Sequence, residues 1–506
     1  RMSLAAAVSA EGVPWAQVAS AAAVAGGGRS RFAAGVERSP APAASLRGGG
    51  WSASSTGRPT TGGGATSRVE PATASLVGAA ALVSGSRARR RQQRRQQPVP
   101  RGTLSRAAAA EGGAGGRGQS YFNFTGFPFP LGPLFERQTV RREIGDGMWS
   151  FEQEQSLANI AVNVRMTVIR LKCGGLWVHN PVAPTAQCME LLRALGAPVK
   201  FIVLGCAQYE HKIFVGPFAR RWPDAKVYIT PQQWSWPIDL PSQLYGIFPA
   251  GELRDADTDA PWADEIDQRL LNPPNRLGFG YSAAECAFFH RRSKTLICTD
   301  ALVYVPEEPP SVLSRSDLTN LGKTADNIVL DLVALTNWRG SGEAVREAQR
   351  TEAASKFVDE RALLKKGWQR DALLALYFGP DGRSIIDPTE AFRAVAGRWL
   401  VGPVCYSLVY GGIIREDVSK WAERLCEWDI QQILPCHFAG PVRGTRDDVR
   451  QAFEVLKRAE ADVETEDAGS GFALPWPFPQ PPIKYRPQDL QLLANLRSIL
   501  KALRVI

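Results

Sequence analysis

Val199-Lys-Phe-Ile-Val-Leu-Gly-Cys-Ala-Gln-Tyr-Glu-His-Lys212 begins as an apolar run and turns polar after a glycine. Its first six residues predict a buried β-strand, because the run is short, apolar and ended by a turn residue. Glu210 and His211 follow that strand at the entry to a helix. Because α/β folds place ligands where strands end, the segment indicates a site as well as a fold class.

The flanking segments alternate between strand and helix patterns. Residues 162–171 and 176–179 predict two strands separated by a Gly-Gly turn. A helix is expected from Pro184 or Thr185 to Leu195, where Gly196 ends it. A second helix is expected over 214–222 and a further strand over 226–230. This order predicts a layered α/β domain.

The second half of the chain predicts a hairpin, several helices and one more strand. The hairpin joins residues 285–290 to 295–300 through a basic turn. The run from 399 to 414 is the most membrane-like stretch, but it is shorter than the roughly 20 apolar residues that a spanning helix needs, so we expect a buried core segment. The remaining expected elements are helices over most of 342–397, over 413–428, 446–461 and 489–503, and a strand over 430–435.

Residues 1–118 have the composition of a targeting leader. They contain sixteen Arg, no Lys and four acids, with many Ala, Gly and Ser. Arg-rich, Ser-rich, acid-poor sequence is typical of plastid or mitochondrial transit peptides and predicts disorder. The alternative interpretation of the basic run 87–95 is a nuclear or RNA-binding patch. We therefore divide the chain into a leader (1–118), a main domain (119–445) and a C-terminal helical extension with a Pro-rich strap (446–506).

The charge of the remaining chain argues against a nucleic-acid partner. The net charge of +10 comes from the leader, since residues 119–506 hold 44 bases and 46 acids. A broad phosphate-binding face is therefore not expected in the folded part. The eight cysteines contain no Cys-x-x-Cys pair, which favours reduced thiols over disulfides.

Histidine is scarce, so the candidate site residues are few: His179, His211, His290 and His437. His211 and His437 each follow a predicted strand, and Asp300 ends a third. His179 follows an early strand, and we keep two interpretations open for it: an ordinary structural residue, which is the preferred one, or a residue that borders the pocket. His290, beside two arginines, is expected to face solvent. Three strand ends that each carry a metal-ligating side chain form a stronger signal than any one alone.

The sequence resembles the metallo-β-lactamase superfamily, and more closely the plant and algal branch of its DUF4336 offshoot. The resemblance covers roughly residues 140 to 445. It is carried by Val164-Arg-Met-Thr-Val-Ile-Arg-Leu171, Gly174-Gly-Leu-Trp-Val-His-Asn-Pro-Val-Ala-Pro-Thr185, Tyr209-Glu-His-Lys-Ile-Phe-Val-Gly-Pro-Phe218, Trp234-Ser-Trp-Pro237, Pro261-Trp-Ala-Asp-Glu-Ile266 and Gly367-Trp-Gln-Arg370. It implies an αββα sandwich and a plastid location, with the mitochondrion as the alternative.

The resemblance also implies a metal site from which part has been lost. The superfamily's first two histidines fall on Cys206 and Gln208, and its third has no evident counterpart around 278–284. Cys206 is a candidate soft ligand, although a buried, inert thiol is the commoner state. The ligands that remain are Glu210, His211, Asp300 and His437.

Two functions are compatible with this pattern. One is a hydrolase of an ester, thioester or amide, in which a single Zn, Fe or Mn ion activates water and Glu210 holds or orients that water. The other is a non-catalytic scaffold or assembly factor with the same fold and no required metal. The expected partner is accordingly a small-molecule substrate or a protein, neither of which the sequence identifies.

Overall fold

The computed structural model describes residues 116–121, 132–133, 135–157, 160–233, 241–274, 282–325, 327, 330–331, 335, 341–354, 359–457 and 483–502. The predicted leader lies outside the described residues except for 116–118. Most of the aromatic segment 122–135, the tryptophans at 234 and 236 and the Pro-rich strap 474–482 lie outside them as well. The first described element is a 3-10 turn, Gly116–Gln119, followed by a bridge between Ser120 and Glu136.

The first sheet has seven strands in sequence order. Its first four strands are antiparallel and its last four, from β4 onward, are parallel. The strands are β1 (Val140–Gly145), β2 (Met148–Leu157), β3 (Ile160–Arg170), β4 (Leu176–His179), β5 (Val199–Leu204), β6 (Lys226–Ile229) and β7 (Gly251–Glu252).

The second sheet has five strands in the order β14-β13-β10-β9-β8. They are β8 (Ile266–Leu271), β9 (Glu285–His290), β10 (Thr295–Ile297), β13 (Gln432–Leu434) and β14 (Val442–Arg443). β10 and β13 run parallel, so the residues that follow them emerge at the same edge of the sheet. A separate pair joins β11 (Val303–Tyr304) to β12 (Trp399–Leu400).

Helices cover the outer faces of both sheets. One apolar cluster packs the first sheet on a helix that begins after the Thr185 cap, and a larger one packs the second sheet on the helices of the C-terminal half. The described α-helices are Ala186–Arg193, Tyr209–Lys212, Val215–Ala219, Arg315–Gly322, Gly342–Ala354, Glu360–Tyr377, Gly382–Ile386, Thr389–Val395, Arg415–Leu425, Arg446–Phe453 and Pro487–Ala502.

A third apolar cluster lies between the two sheets. Trp177 and Phe201 come from the first sheet, whereas Phe288, Ile297 and Leu434 come from the second. Two sheets face to face with helices outside are the αββα sandwich, so the predicted fold class is confirmed. The C-terminal helix Pro487–Ala502 also contributes apolar side chains to the larger outer cluster.

Most predicted elements occur with shifted ends. The strand expected over 295–300 ends at Ile297. Cys298 N still donates to the Leu434 carbonyl, but the next three backbone N–H groups bond to the buried carboxylate of Glu285 instead of a neighbouring strand. The helix expected over 214–222 is reduced to Val215–Ala219. The membrane-like run contains β12, a π-helical segment, Cys405–Val409, and a 3-10 turn, Gly412–Ile414. Among the described residues we find no helix with the length and apolarity that a membrane crossing requires.

His290 is buried, so the expectation that it faces solvent is wrong. It ends β9 and lies between β8 and β10, pairing with Ile266 and Thr295. Its Nδ1 lies 2.7 Å from Ser293 Oγ. Burial, with a smaller contribution from Arg292, lowers the pKa of His290 to about 4. The adjacent arginines predict a solvated turn, but His290 still belongs to the central strand of three and its side chain is buried.

The lowered pKa of His290 predicts a loss of stability in mild acid. As the pH falls from about 6.5 towards 4, the unfolded chain binds a proton that the folded chain does not, so folding becomes less favourable. We expect His290 to account for about 1–2 kcal/mol of unfolding free energy lost between pH 7 and pH 5. Urea unfolding of wild type and His290→Gln at both pH values measures this, and equal losses in the two proteins would refute it.

Two glycines allow close contact between helices Arg315–Gly322 and Glu360–Tyr377. A Cβ on Gly367 would lie 1.8 Å from the carbonyl oxygen of Leu318, and one on Gly322 would lie 1.9 Å from that of Leu363. Backbone atoms cannot move aside as a flexible side chain can. The helices must therefore separate if either glycine gains a side chain.

Gly367→Ala is expected to lower the unfolding free energy by about 1–3 kcal/mol, because overpacking forces backbone shifts. Gly402→Ala is the matched control, since its Cβ would meet only Leu376 Cδ2, at 3.8 Å. Thermal or denaturant unfolding measures both. Similar stabilities for the two variants would show that the helices do not depend on this contact.

Candidate metal centre

The four predicted ligands converge at one place. One ligand atom from each of Glu210, His211, Asp300 and His437 lies within 4.8 Å of the others. Glu210 and His211 belong to the short helix Tyr209–Lys212 after β5, whereas Asp300 and His437 each lie three residues beyond a strand of the second sheet. The cluster therefore spans the edge where both sheets end. That an ion binds there stays a prediction.

The shortest distances join the two imidazoles and Asp300. His437 Nε2 lies 3.2 Å from His211 Nε2 and 3.2 Å from Asp300 Oδ1, and His211 Nε2 lies 3.4 Å from the same carboxylate oxygen. His211 is buried, whereas Glu210 and His437 are partly exposed. The cluster is thus closed on its inner side and reachable from its outer side.

Hydrogen bonding fixes the tautomer of His437. Its Nδ1 lies 2.8 Å from the carbonyl oxygen of Asn163, which only accepts hydrogen bonds, so Nδ1 carries the proton. In the neutral ring, Nε2 therefore presents its lone pair to the cluster. Backbone carbonyls hold metal-ligating histidines in this way in other proteins.

The charges of the cluster favour a positive group at its centre. Burial works against ionisation of Asp300, but His211 and His437 outweigh burial and hold the pKa of this carboxyl below its ordinary value. Burial likewise opposes a charge on His437, yet Asp300 and then Glu210 raise the pKa of this imidazole. Burial and the charge of Asp300 raise the pKa of Glu210. The two carboxyl groups therefore place negative charge in the cluster, which a proton or a bound cation would neutralise.

The donor set fits a divalent cation. Two imidazole nitrogens and two carboxylates are ligands that Zn, Fe and Mn accept. Asp300 Oδ2 is buried and has no hydrogen-bond partner among the described residues. An unpartnered buried carboxylate oxygen is costly, and coordination to a cation would remove that cost.

A buried polar group on β2 and β3 supports the segment that carries His437. Arg165 forms a salt bridge of 3.1 Å with Glu152 and donates to the carbonyl oxygens of Pro435 and Phe438. Asn163 Nδ2 also donates to the Phe438 carbonyl, at 2.9 Å. Phe438 has φ of 55°, so the chain turns sharply after His437 and is held there from both sides.

Sequence reasoning missed these supporting residues. Glu152, Asn163 and Arg165 are buried polar residues within strands. Asn163 and Arg165 bond to backbone carbonyls 275 and 270 positions away in the chain. The available signal was the charged Arg165 in a strand whose apolar residues alternate with polar ones, among them Asn163 and Thr167. Such a residue must find a buried partner, but the sequence does not say which.

The positions that correspond to the superfamily's other ligands lie outside the cluster. Cys206 is buried and its backbone pairs with Glu285, and burial raises the pKa of its thiol well above the ordinary value. The described group of metal-ligating atoms does not include it. Gln208 precedes the helix Tyr209–Lys212 as its N-cap. Positions 278–281 lie outside the described residues, and 282–284 contain no histidine.

His179 lies behind the cluster, deep between the sheets. Its ring stacks on Trp177 at 5.7 Å and meets Phe288 edge-on at 5.4 Å. Burial lowers the pKa of His179 to about 3, with a further contribution from His211. A Cβ on Gly205 would lie 2.2 Å from His179 Nε2, so the glycine after β5 makes room for the ring. His179 is thus a neutral packing residue adjacent to the site.

Several solved structures show similarity to this chain. A metallo-β-lactamase from Pontibacter korlensis is 14% identical, with a TM-score of 0.27 over 45% of this chain and 96% of that one. Metallo-β-lactamase IND-7 is 9% identical, with a TM-score of 0.26 over 33% and 72%. The metal-soaked Flv1 flavodiiron core from Synechocystis sp. PCC6803 is 11% identical, with a TM-score of 0.35 over 65% and 63%.

Because these TM-scores are below 0.5, the fold assignment rests on the two-sheet architecture itself. No curated protein matches the sequence significantly. A family profile described as "Domain of unknown function (DUF4336)" matches residues 145–394 and 386–455, which is more than half of the chain. The matched residues include the strand ends that carry all four cluster residues, and the chain belongs to the DUF4336 family.

Proposed function

We propose that the chain is a single-metal hydrolase of an ester, thioester or amide. The observation that carries this proposal is the convergence of Glu210, His211, Asp300 and His437 at the shared edge of the two sheets. In the sequence these residues come from three separate segments. Two imidazoles and two carboxylates at one partly open point suit hydrolysis better than a purely structural role.

Each residue of the cluster has a role in this proposal. The ion would be held by His211, His437 and Asp300, and Zn, Fe and Mn all suit this donor set. When bound, such an ion lowers the pKa of water from 15.7 to about 7. Glu210, one of the two partly exposed members, would hold or orient the attacking water and accept its proton. The Asn163 carbonyl keeps His437 in the required tautomer.

Turnover of model substrates tests the proposal. Full-length protein loaded with each metal is assayed with a chromogenic ester, a thioester and an anilide, beside Glu210→Gln. We expect the variant to retain the ion and to lose about 10²–10⁴-fold in kcat, the usual contribution of general acid–base catalysis. Metal-loaded wild type that turns over none of the three classes would instead favour the non-catalytic scaffold.

The location of the protein is part of the proposal. The Arg-rich, acid-poor composition of residues 1–118 supports import into the plastid, with the mitochondrion as the alternative. A fluorescent reporter fused behind residues 1–118 and imaged in plant cells distinguishes the two organelles. Accumulation in the nucleus would instead support the basic run 87–95 as a nuclear signal.

A further inference from the structure

The carboxylate of Glu285 is buried and lies against the backbone of Asp300. Glu285 is the first residue of β9 and only 2% exposed. Its carboxylate accepts hydrogen bonds from three successive backbone N–H groups, those of Thr299 (2.7 Å), Asp300 (3.3 Å) and Ala301 (3.4 Å). The Tyr410 hydroxyl donates a fourth, at 3.3 Å. The carboxylate therefore replaces the strand partner that the backbone N–H groups lose after Cys298.

The backbone around Glu285 holds the other ligand-bearing segment. Glu285 forms a β-bridge with Cys206, in the loop between β5 and the helix of Glu210 and His211. Cys286 N donates to the Gly205 carbonyl oxygen at 2.7 Å, and Ala207 N donates to that of Ala284 at 3.0 Å. These two bonds flank the bridge on both sides. The main chain on either side of Glu285, at Ala284 and Cys286, thus holds the segment 205–207, while the Glu285 side chain holds residues 299–301.

This double attachment links parts of the cluster that come from different sheets. Glu210 and His211 follow a strand of the first sheet, whereas Asp300 follows a strand of the second. In the described structure His211 Nε2 and Asp300 Oδ1 are 3.4 Å apart, a distance that depends on both segments staying in register. Mutation of residues that orient metal ligands typically lowers metal affinity by about 10–100-fold.

We infer that Glu285 is the positioning residue that sets the separation of Asp300 from the Glu210–His211 segment and thereby the affinity of the site for a divalent cation. This inference rests on the proposed function, since it assumes that the cluster binds an ion. Glu285 itself does not touch the cation. It acts through the backbone N–H groups that it holds.

Glu285→Gln tests the inference with little change in volume. An amide offers one acceptor oxygen, so its NH2 group faces at least one of the three N–H donors and the segment 299–301 must move. Full-length wild type and variant are titrated with Co²⁺, whose visible absorption reports coordination geometry. We expect about 10–100-fold weaker binding and a changed absorption spectrum at saturation.

Two further variants guard against a purely structural effect. Asp489→Asn is the matched control, because Asp489 is also buried and accepts a backbone N–H, from Asp381 at 2.9 Å, but joins two helices. We expect its cobalt affinity and spectrum to equal those of wild type. Tyr410→Phe removes the hydroxyl that donates to Glu285 and should weaken cobalt binding by about 2–5-fold. If Glu285→Gln does not fold, the cobalt affinity of Tyr410→Phe tests the inference in its place.

The outcomes separate this inference from the proposed function. Wild type that binds no Co²⁺ would overturn the metal site itself. Wild type that binds Co²⁺, with unchanged affinity and spectrum in folded Glu285→Gln or, failing that, in Tyr410→Phe, would overturn only the role of Glu285. A loss of similar size in Asp489→Asn would also overturn it, because the effect would then follow from general destabilisation.

Discussion

Replacing His211 by alanine is expected to weaken divalent-cation binding by at least about 100-fold, the upper end of what loss of an outer partner costs. His211 is the buried imidazole of the cluster, and its Nε2 lies within 3.4 Å of both Asp300 Oδ1 and His437 Nε2. Its removal takes away one of two nitrogen ligands. Competition against a chromogenic chelator measures the affinity.

His290→Gln is the control for this experiment. His290 is also buried at a strand end, but it contacts Ser293 and lies in the hairpin between β9 and β10. The substitution His290→Gln should therefore leave the affinity for the cation unchanged. If His211→Ala and His290→Gln bind the cation equally well, His211 is not a ligand and the ion, if any, lies elsewhere.

Arg165→Met is expected to lower the unfolding free energy by about 3–5 kcal/mol, because it leaves the carboxylate of Glu152 buried without its positively charged partner. Both side chains are 2% exposed, and the pair is 3.1 Å apart. The substitution also removes the donors to the Pro435 and Phe438 carbonyls that flank His437. Denaturant unfolding measures the stability, and the chelator titration should show weaker cation binding as well.

Two comparisons isolate the buried charge in the Arg165→Met experiment. Arg424→Met breaks a salt bridge whose partners, Arg424 and Asp255, are 36% and 40% exposed, and should cost no more than about 1 kcal/mol. Adding Glu152→Met to Arg165→Met removes the unpaired charge and should recover part of the stability. A loss under 1 kcal/mol in Arg165→Met would show that water reaches Glu152.

Local patterns predicted the central strands of the fold well. β5 and β9 were expected at the residues where they occur, because each is a short apolar run ended by a turn. β2 was not expected, since its pattern is dominated by polar residues such as Gln153 and Gln155, which are nevertheless buried. Burial of those side chains depends on partners elsewhere in the fold, and no local pattern records them.

The residues of the candidate site could be predicted from the sequence to a similar extent. Metal-ligating side chains that follow an apolar strand are recognisable in the sequence. This pattern identifies Glu210, His211, Asp300 and His437, and the structure brings the four residues together. Glu285 and Arg165 were not identified, because their roles come from hydrogen bonds to backbone groups of distant segments. His290 was misplaced for a related reason: its neighbours in sequence are charged, but its neighbours in space are two strands.

The metal content of the purified full-length protein, measured by elemental mass spectrometry after exposure to Zn, Fe and Mn, tests the metal centre most directly. The four residues converge on one position, where three of them would hold the ion, and Cys206 and Gln208 stand where the superfamily has its first two histidines, so we expect about one ion per folded chain. The same measurement on His211→Ala and His437→Ala should give much less than one. Folded wild type that contains no ion, or an ion retained in both variants, would contradict a metal centre at these residues.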